Sequence, residues 1–237
     1  MKKSLICLSL SFLFVFFGIT AFAEGFNFVH QETFAGDTEH AKSSLEASIF
    51  FEEPDRRSIV SFDVREDGVI ALAHDFGMTK RISIYSENMD FLFGYKFKHD
   101  GVIAIAWDDH YLQVYCVRGD FMFSLDEKAN ILNIVSIPMT DENRNYIDQI
   151  LYANRKVIGD KEYLLSTEGI WSFINTSFST LSITQNGRST VLYDAGIQHF
   201  LQMFMVIGGA LAFLVIVFVK IYKYHTKPKS LQLGKLL

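Results

Sequence analysis

The chain of 237 residues is 49% hydrophobic and 15% aromatic, and it contains 27 acidic residues, 22 basic residues and two cysteines. All 27 acidic residues but only 15 basic ones lie between Glu24 and Val219, so this part carries a net charge of −12. Such an acidic surface argues against a nucleic-acid partner, whose phosphates require basic groups. It predicts a well solvated domain or one that attracts cationic partners.

The N-terminus has the pattern of a secretory signal peptide. Two lysines precede an apolar run from Leu5 to Phe17, and Ala21-Phe22-Ala23 follows it. A charged start, a short apolar segment and an A-x-A cleavage pattern define such a signal. We therefore predict that residues 1–23 are removed; the alternative is an uncleaved anchor. The mature chain would then contain a single cysteine, Cys116, so it could form no intrachain disulfide. Cys116 shares one face of a predicted strand with Leu112 and Val114, so we predict that it is buried.

The C-terminal part predicts a membrane span. From Phe200 to Val219 no residue is charged, and about 20 residues at about 1.5 Å each cross the hydrocarbon core as a helix. Five lysines and no acidic residue follow, and such a cluster stays on the cytoplasmic side. The sequence thus predicts a single-pass bacterial membrane protein with its N-terminal domain outside, a transmembrane helix over residues 199–221 and a basic cytoplasmic tail over residues 222–237.

Between the two ends the pattern is that of short antiparallel strands. Residues 24–57 are interpreted as an N-terminal arm with a leading strand, and residues 58–196 as an extracytoplasmic β-repeat domain. Apolar and polar residues alternate in IVSFDV (Ile59–Val64), as in a half-buried strand. Asp67-Gly68 favours a tight hairpin turn, because both residues tolerate positive φ. Apolar residues three and four apart predict a short amphipathic helix over residues 143–156.

One pattern occurs twice in the β region. The first copy consists of DGVIALA (Asp67–Ala73), ISIY (Ile82–Tyr85) and FLFGYKF (Phe91–Phe97), and the second of DGVIAIA (Asp100–Ala106), LQVY (Leu112–Tyr115) and FMFSLDE (Phe121–Glu127). A third, looser copy begins at Asp160 with DKEYLLS and continues with LSIT after an aromatic insertion around Trp171. Copies that differ mainly in loop length predict equivalent structural units.

These units have the size of propeller blades, which are four-stranded and about forty residues long. The segments FDVREDGVIAL, ISIYSENMDFLFGYKF and LQVYCVRGDFMFSLDE resemble blades of NHL/SMP-30-type β-propellers, and also bacterial membrane-anchored ectodomains that carry such units. The resemblance implies a mainly β fold of blade-like, antiparallel four-stranded repeats. Closed propellers typically need four or more blades, so we expect a partial or open β-propeller, one completed by self-association, or a twisted β-sandwich.

The sequence predicts no cofactor, no metal site and no catalytic residue. The calcium-dependent lactonases of the resembled family hold their metal with acidic and asparagine ligands, and no matching set occurs here. Asp108-Asp109-His110 has residue types that bind metals, but neighbours in a turn point in different directions, so a polar loop is expected. Function is expected in the loops where the copies differ. The candidate interaction residues in these loops are His74, Asp75, Trp107, Asp109, His110 and Trp171.

Two functional hypotheses follow from this pattern. The first is a membrane-anchored extracytoplasmic module that binds or scaffolds an envelope protein or a surface polymer. The alternative is a propeller-type hydrolase or lyase that acts on cell-surface carbohydrate or on a small ester. A polar pocket with converging carboxylates of raised pKa would favour the enzyme.

Overall fold

The computed structural model describes residues 25–29, 31–32, 43–167 and 177–225. The predicted signal peptide and Trp171 lie outside the described residues, as do residues 226–237 of the predicted tail. The described strands form antiparallel sheets of four and five strands, none of which closes into a barrel. The prediction of a mainly β protein with repeated antiparallel sheets is therefore confirmed.

Three sheets and two helices of eleven or more residues make up most of this part of the chain. The first sheet contains β2 (Ser48–Phe50), β3 (Ile59–Val64), β4 (Ile70–Phe76), β5 (Thr79–Tyr85) and β6 (Phe91–Lys98). The second contains β1 (Gln31–Glu32), β7 (Ile103–Asp108), β8 (Tyr111–Cys116), β9 (Phe121–Leu125) and β10 (Ile131–Ser136). The third contains β11 (Arg155–Ile158), β12 (Lys161–Ser166), β13 (Thr180–Gln185) and β14 (Arg188–Asp194). The helices are α1 (Asp141–Leu151) and α2 (Gly196–His225).

Each sheet is a meander in which four strands pair in chain order. Gly68 has φ of 88°, as the predicted Asp-Gly turn requires, and Asn186 and Gly187 between β13 and β14 also have positive φ, of 51° and 73°. The two N-terminal strands extend these meanders at their far edges, since β2 pairs with β6 and β1 pairs with β10. The first strands β3, β7 and β11 lie next to one another, with β3 in contact with both of the others.

The sequence repeat and the structural repeat are offset by one strand. DGVIALA of the first copy supplies β4, the second strand of its meander, whereas DGVIAIA of the second copy supplies β7, the first strand of its meander. DKEYLLS supplies β12, again a second strand. The physical reason is that a β pattern specifies which residues alternate between the two faces, but not where a sheet begins.

The sheets stack in layers, and the first sheet is the middle one. One face of it packs on the second sheet in a cluster that includes Ala71, Ala73 and Val114. Its other face packs on the third sheet through residues such as Leu72 and Tyr163. Because both faces of β4 are covered, the run IALAH is buried throughout. This explains why β4 is almost continuously apolar rather than alternating.

Helix α1 covers the outer face of the second sheet. Thr140 caps its N-terminus by accepting a hydrogen bond from the Asn143 amide. The buried Asn143 side chain also binds the N-terminal arm, accepting from Val29 N at 3.0 Å and donating to Val29 O at 2.7 Å. The prediction of a helix here is confirmed, but the helix ends at Leu151 rather than at 156, because residues 155–158 pair with β12 as β11.

Helix α2 follows the third sheet and contains the residues predicted to span the membrane. Its described side chains are those of residues 196, 204, 205 and 207–222. Among them, large apolar side chains such as Phe213 and Phe218 are exposed. Taken over the residues whose side chains the structure describes, no helix is both long enough and apolar enough to cross a membrane.

Side chains of β3 close the open edge of β7. The Ser61 hydroxyl accepts a hydrogen bond from Ile105 N at 3.1 Å, and the Asp63 carboxylate accepts one from Trp107 N at 2.7 Å. The second carboxylate oxygen of Asp63 lies 2.6 Å from Lys156 Nζ of β11. Burial raises the pKa of Asp63, although Lys156 and the Trp107 amide both oppose this effect. One carboxylate therefore connects all three sheets.

Replacing Asp63 by Asn is expected to weaken the association of the sheets. The amide keeps the shape but removes the charge opposite Lys156, whose side chain is only 30% exposed. Leaving an ion of a buried pair without its partner typically costs several kcal/mol, and the partial exposure of Lys156 lowers this to about 1–3 kcal/mol. The free energy of unfolding in urea measures the effect.

Glu162→Gln is the matched control for Asp63→Asn. It makes the same chemical change in a pair with Arg155 whose side chains are 36% and 61% exposed, so we expect a loss of at most about 1 kcal/mol. Equal losses in the two variants would show that the Asp63 junction does not hold the sheets together.

Candidate functional site

The structure places the predicted loop residues at two opposite ends of the sheets. His74 and Asp75 lie at the end of β4, near the starts of β3 and β7. Trp107, Asp109 and His110 lie at the far end of β7. Ser61 contacts Ile105 and Asp63 contacts Trp107, so residue numbers increase together along the two strands, and β3 and β7 run in the same direction. The two groups of residues therefore do not form one site.

His74 is a core residue of β4 rather than a loop residue. It is only 2% exposed, and its Nδ1 lies 3.2 Å from Ser58 O. Its ring centroid lies 5.8 Å from that of Tyr193, between the first and third sheets. Burial lowers the pKa of His74 to about 4, and the positive charges of Arg57 and Arg81 contribute to this shift. The imidazole is therefore neutral at physiological pH.

Asp75 points to the opposite face and pairs with a buried lysine. Lys80 Nζ lies 2.7 Å from Asp75 Oδ1 and donates to Gly77 O at 2.9 Å. The Lys80 side chain is 2% exposed, whereas that of Asp75 is 44% exposed. The β4–β5 turn is fixed by the same carboxylate, since Gly77 N donates to Asp75 Oδ1 at 2.7 Å. An ammonium group is thus held under the surface at this end of the sheets.

Lys80 and Asp75 border a half-open cavity of about 150 Å³. The cavity lies between the first sheet, the start of the second sheet and the C-terminal end of α1. Its walls are mainly apolar, and Val102 and Tyr152 at its rim are 52% and 67% exposed. The remaining lining residues are Val60, Ile103 and Leu151. Small-molecule sites usually enclose roughly 300–1,000 Å³, so this cavity has the size for a single apolar side chain.

The opposite end contains a buried tryptophan and an exposed turn. Trp107 is 6% exposed, and the Arg65 guanidinium carbon lies 5.0 Å from the centroid of its ring system. Trp107 O accepts a hydrogen bond from Gly25 N at 2.6 Å. Asp109 and His110 form a surface turn, in which Asp109 Oδ1 lies 3.4 Å from His110 Nε2 and both side chains are about two-thirds exposed or more. Trp107 is therefore a packing residue.

Three chemical properties of the described residues bear on catalysis. Within them, no group of three or more His, Cys, Asp or Glu side chains is arranged to hold a metal ion. Cys116 is fully buried in β8, as predicted, and burial raises the pKa of its thiol. The carboxyl of raised pKa, Asp63, lies at the junction of the sheets and not in a cavity.

Lys80 is the residue that sequence reasoning missed. The sequence TKRISIY places Lys80, Ile82 and Ile84 on one face of β5, and both isoleucines are buried against the second sheet. This alternation was the signal that Lys80 faces the core. No sequence pattern indicated that Leu151 and Tyr152 line the cavity, because this depends on where the end of α1 lies relative to the sheets.

Comparisons with models of protein families, with curated proteins and with solved structures give no match for this chain. Its function is therefore inferred from the geometry and chemistry of the two ends of the sheets.

The buried imidazole predicts a loss of stability on acidification. The unfolded histidine binds a proton below a pH of about 6.5, whereas folded His74 does so only near 4. The unfolded state thus binds more protons in this window, and stability falls as the pH falls through it. A shift of this size corresponds to a contribution on the order of 3 kcal/mol.

His74→Gln should remove this contribution, because glutamine can still donate to Ser58 O but does not titrate. Urea unfolding of both proteins at pH 7 and pH 4.5 is expected to show a smaller pH dependence in the variant. His110→Gln is the control, because it makes the same substitution at a side chain that is 69% exposed. Parallel pH profiles for parent and His74→Gln would contradict the prediction.

Proposed function

We propose that the chain is a membrane-anchored, extracytoplasmic β-repeat module that binds an envelope protein through the cavity beside Lys80. The observation that carries this proposal is the half-open apolar cavity with exposed Val102 and Tyr152 at its rim. Energetically dominant contacts in protein interfaces are large side chains that fill such pockets near the centre of the contact. The cavity volume fits one anchoring side chain of a partner.

Lys80 adds a polar element to this pocket. Two of its three ammonium protons are directed to Asp75 and Gly77, so one donor is available to a carbonyl or carboxylate group beside the anchoring side chain. Such a donor, held in place by the turn, fixes orientation and gives specificity in an otherwise apolar pocket. The partner chemistry that fits is an apolar side chain with a neighbouring hydrogen-bond acceptor.

A binding role is favoured over the hydrolase or lyase alternative by the placement of the carboxylates. An acid–base reaction needs carboxylates that converge in an accessible pocket. The cavity beside Lys80 contains one carboxylate, Asp75, which the ammonium group and the Gly77 amide hold. Asp63, whose pKa is raised, is occupied by Lys156 and the Trp107 amide.

The membrane anchor is proposed from the sequence of α2. The uncharged run from Phe200 to Val219 lies within a helix of 30 residues, and lysines follow it. A helix with apolar side chains on all sides requires an apolar environment. The likeness of the three meanders to propeller blades, with neighbouring first strands, supports an open propeller-like arrangement of the sheets. The outer side of the membrane is proposed from the signal-peptide pattern and the C-terminal lysines.

A photo-crosslinking residue at Tyr152 tests the binding site. In cells, p-benzoylphenylalanine at position 152 is expected to give one dominant adduct, because the side chain lies at the cavity rim. The adduct should be lost on adding Val102→Asp, which places a charge in the apolar wall, and reduced by Lys80→Met. The latter keeps the volume of the side chain, and the freed carboxylate of Asp75 is accessible to water.

Tyr111 provides the matched control, because it is 46% exposed at the opposite end of the sheets. The same crosslinker there should not give the dominant adduct. Identical adduct patterns at positions 111 and 152, or an adduct that persists with Val102→Asp, would argue against the cavity as the binding site.

Carbonate extraction of membranes tests the anchor separately. The full chain is expected to remain in the membrane pellet at alkaline pH, because a spanning helix is held by its apolar surface rather than by charge. A chain that ends at Gln198 should appear in the soluble extracytoplasmic fraction. Release of the full chain by carbonate would contradict the anchor and would leave the crosslinking result unaffected.

A further inference from the structure

Two arginines flank one phenylalanine on the face of the first sheet that meets the third sheet. The guanidinium carbon of Arg57, just before β3, lies 4.3 Å from the Phe76 ring centroid, and that of Arg81, on β5, lies 4.4 Å from it. Both distances fit cation–π contacts, which hold a guanidinium group over a ring. The two positive charges can be no farther apart than the sum of these two distances, so they repel each other.

Neither arginine has an acidic partner within the described residues. Arg56, Arg65, Arg118, Arg144 and Arg155 each form an ion pair there. The Nε atoms of Arg57 and Arg81 are buried and have no hydrogen-bond partner among the described residues. A buried donor without an acceptor is costly. What sets Arg57 and Arg81 apart among the described arginines is that their Nε donors are buried without an acceptor, in a region with 27 acidic and 15 basic residues.

A third cation and an open space adjoin this pair. Lys96 of β6 lies opposite Arg81 in the strand register and so on the same face. A cavity of about 210 Å³ lies beside Arg81 and Lys96, with Phe50 and Pro54 in its wall. Among the described residues, Lys96 forms no ion pair.

Two glutamates also line the cavity beside Arg81 and Lys96. Glu53 accepts a hydrogen bond from the Tyr85 hydroxyl at 3.3 Å and lies 4.0 Å from Arg56. Glu52 is exposed at the rim. It is the acidic group near the cavity that no described residue holds in an ion pair, so it limits the affinity for an anion. Three basic side chains still outnumber it at this site.

We propose that Arg57, Arg81 and Lys96 form a binding site for an oxyanion, either a carboxylate or a phosphate group of a ligand. The planar guanidinium offers its Nε and terminal N–H groups as a fork that matches two oxygens of such a group. An anion within reach of both guanidinium groups would accept hydrogen bonds from the Nε donors that have no partner and would offset the repulsion between the charges. The surrounding net negative charge repels anions elsewhere, which restricts binding to this site.

This site is distinct from the cavity proposed to bind a protein partner. Lys80 and Arg81 are neighbours on β5, and successive strand residues point to opposite faces. Lys80 faces the second sheet, whereas Arg81 shares its face with Phe76 and His74. The module would thus hold an anionic group on one face and an apolar side chain on the other.

Arginine-selective NMR of the full chain in nanodiscs tests the proposal. The ¹⁵N-labelled Nε–H groups report directly on the two buried donors, and Arg57→Gln and Arg81→Gln assign them. Sodium phosphate and sodium acetate are titrated at constant ionic strength with sodium chloride. We expect both resonances to shift in a saturable manner, and Arg81→Gln to weaken the apparent affinity at least tenfold. If only phosphate saturates the shifts, the site binds phosphate groups. If phosphate and acetate both saturate them, the site also binds carboxylates.

Arg188→Gln is the charge-matched control. Arg188 is exposed at the start of β14 and forms no ion pair with a described residue, so its loss should change the affinity less than twofold. Arg81→Lys keeps the charge and should still lower the affinity, because lysine lacks the fork. Linear, non-saturating shifts of all arginine resonances, or equal effects of Arg81→Gln and Arg188→Gln, would overturn the proposal. The Tyr152 crosslink is unaffected in either case.

Discussion

The carboxylate of Asp63 holds the three sheets in their relative positions. It accepts a hydrogen bond from an edge amide of the second sheet and pairs with Lys156 of the third, while β3 belongs to the first. An ionised carboxylate is expensive to bury, and here the ammonium group and the amide offset that cost. Because both partners come from other sheets, the compensation exists only when all three sheets are assembled.

The layered arrangement that follows from this junction determines where functional groups can appear. Both faces of the first sheet are covered, so its residues reach the solvent chiefly at the ends and edges of its strands. Lys80 and Arg81 lie at one such end on opposite faces of β5. Lys80 is neutralised by Asp75, whereas Arg81 is neutralised by no described carboxylate. Two neighbouring residues therefore contribute to two sites of different chemistry, an apolar pocket and a cationic one.

The burial of His74 connects the stability of this end to pH. Its low pKa arises from desolvation and from the nearby charges of Arg57 and Arg81. An anion bound to these arginines would reduce the repulsion that the protonated imidazole experiences. Occupation of the proposed oxyanion site and the acid sensitivity of the fold would therefore be linked.

The sequence alone determined strands β3–β9, β12 and β13, the hairpin turn at Asp67-Gly68, the helix near Asn143 and the burial of Cys116. Alternation, Asp-Gly turns and helical spacing are local properties, which is why they could be predicted. The sequence also contained the signal that Lys80 faces the core. Only the tertiary structure decided that His74 is buried, that it is separated from Trp107 and His110, and that the two DG repeats occupy different positions in their sheets. Those outcomes depend on which edges meet and which faces stack, and these are set by contacts such as Asp63 with Lys156 between residues far apart in the chain.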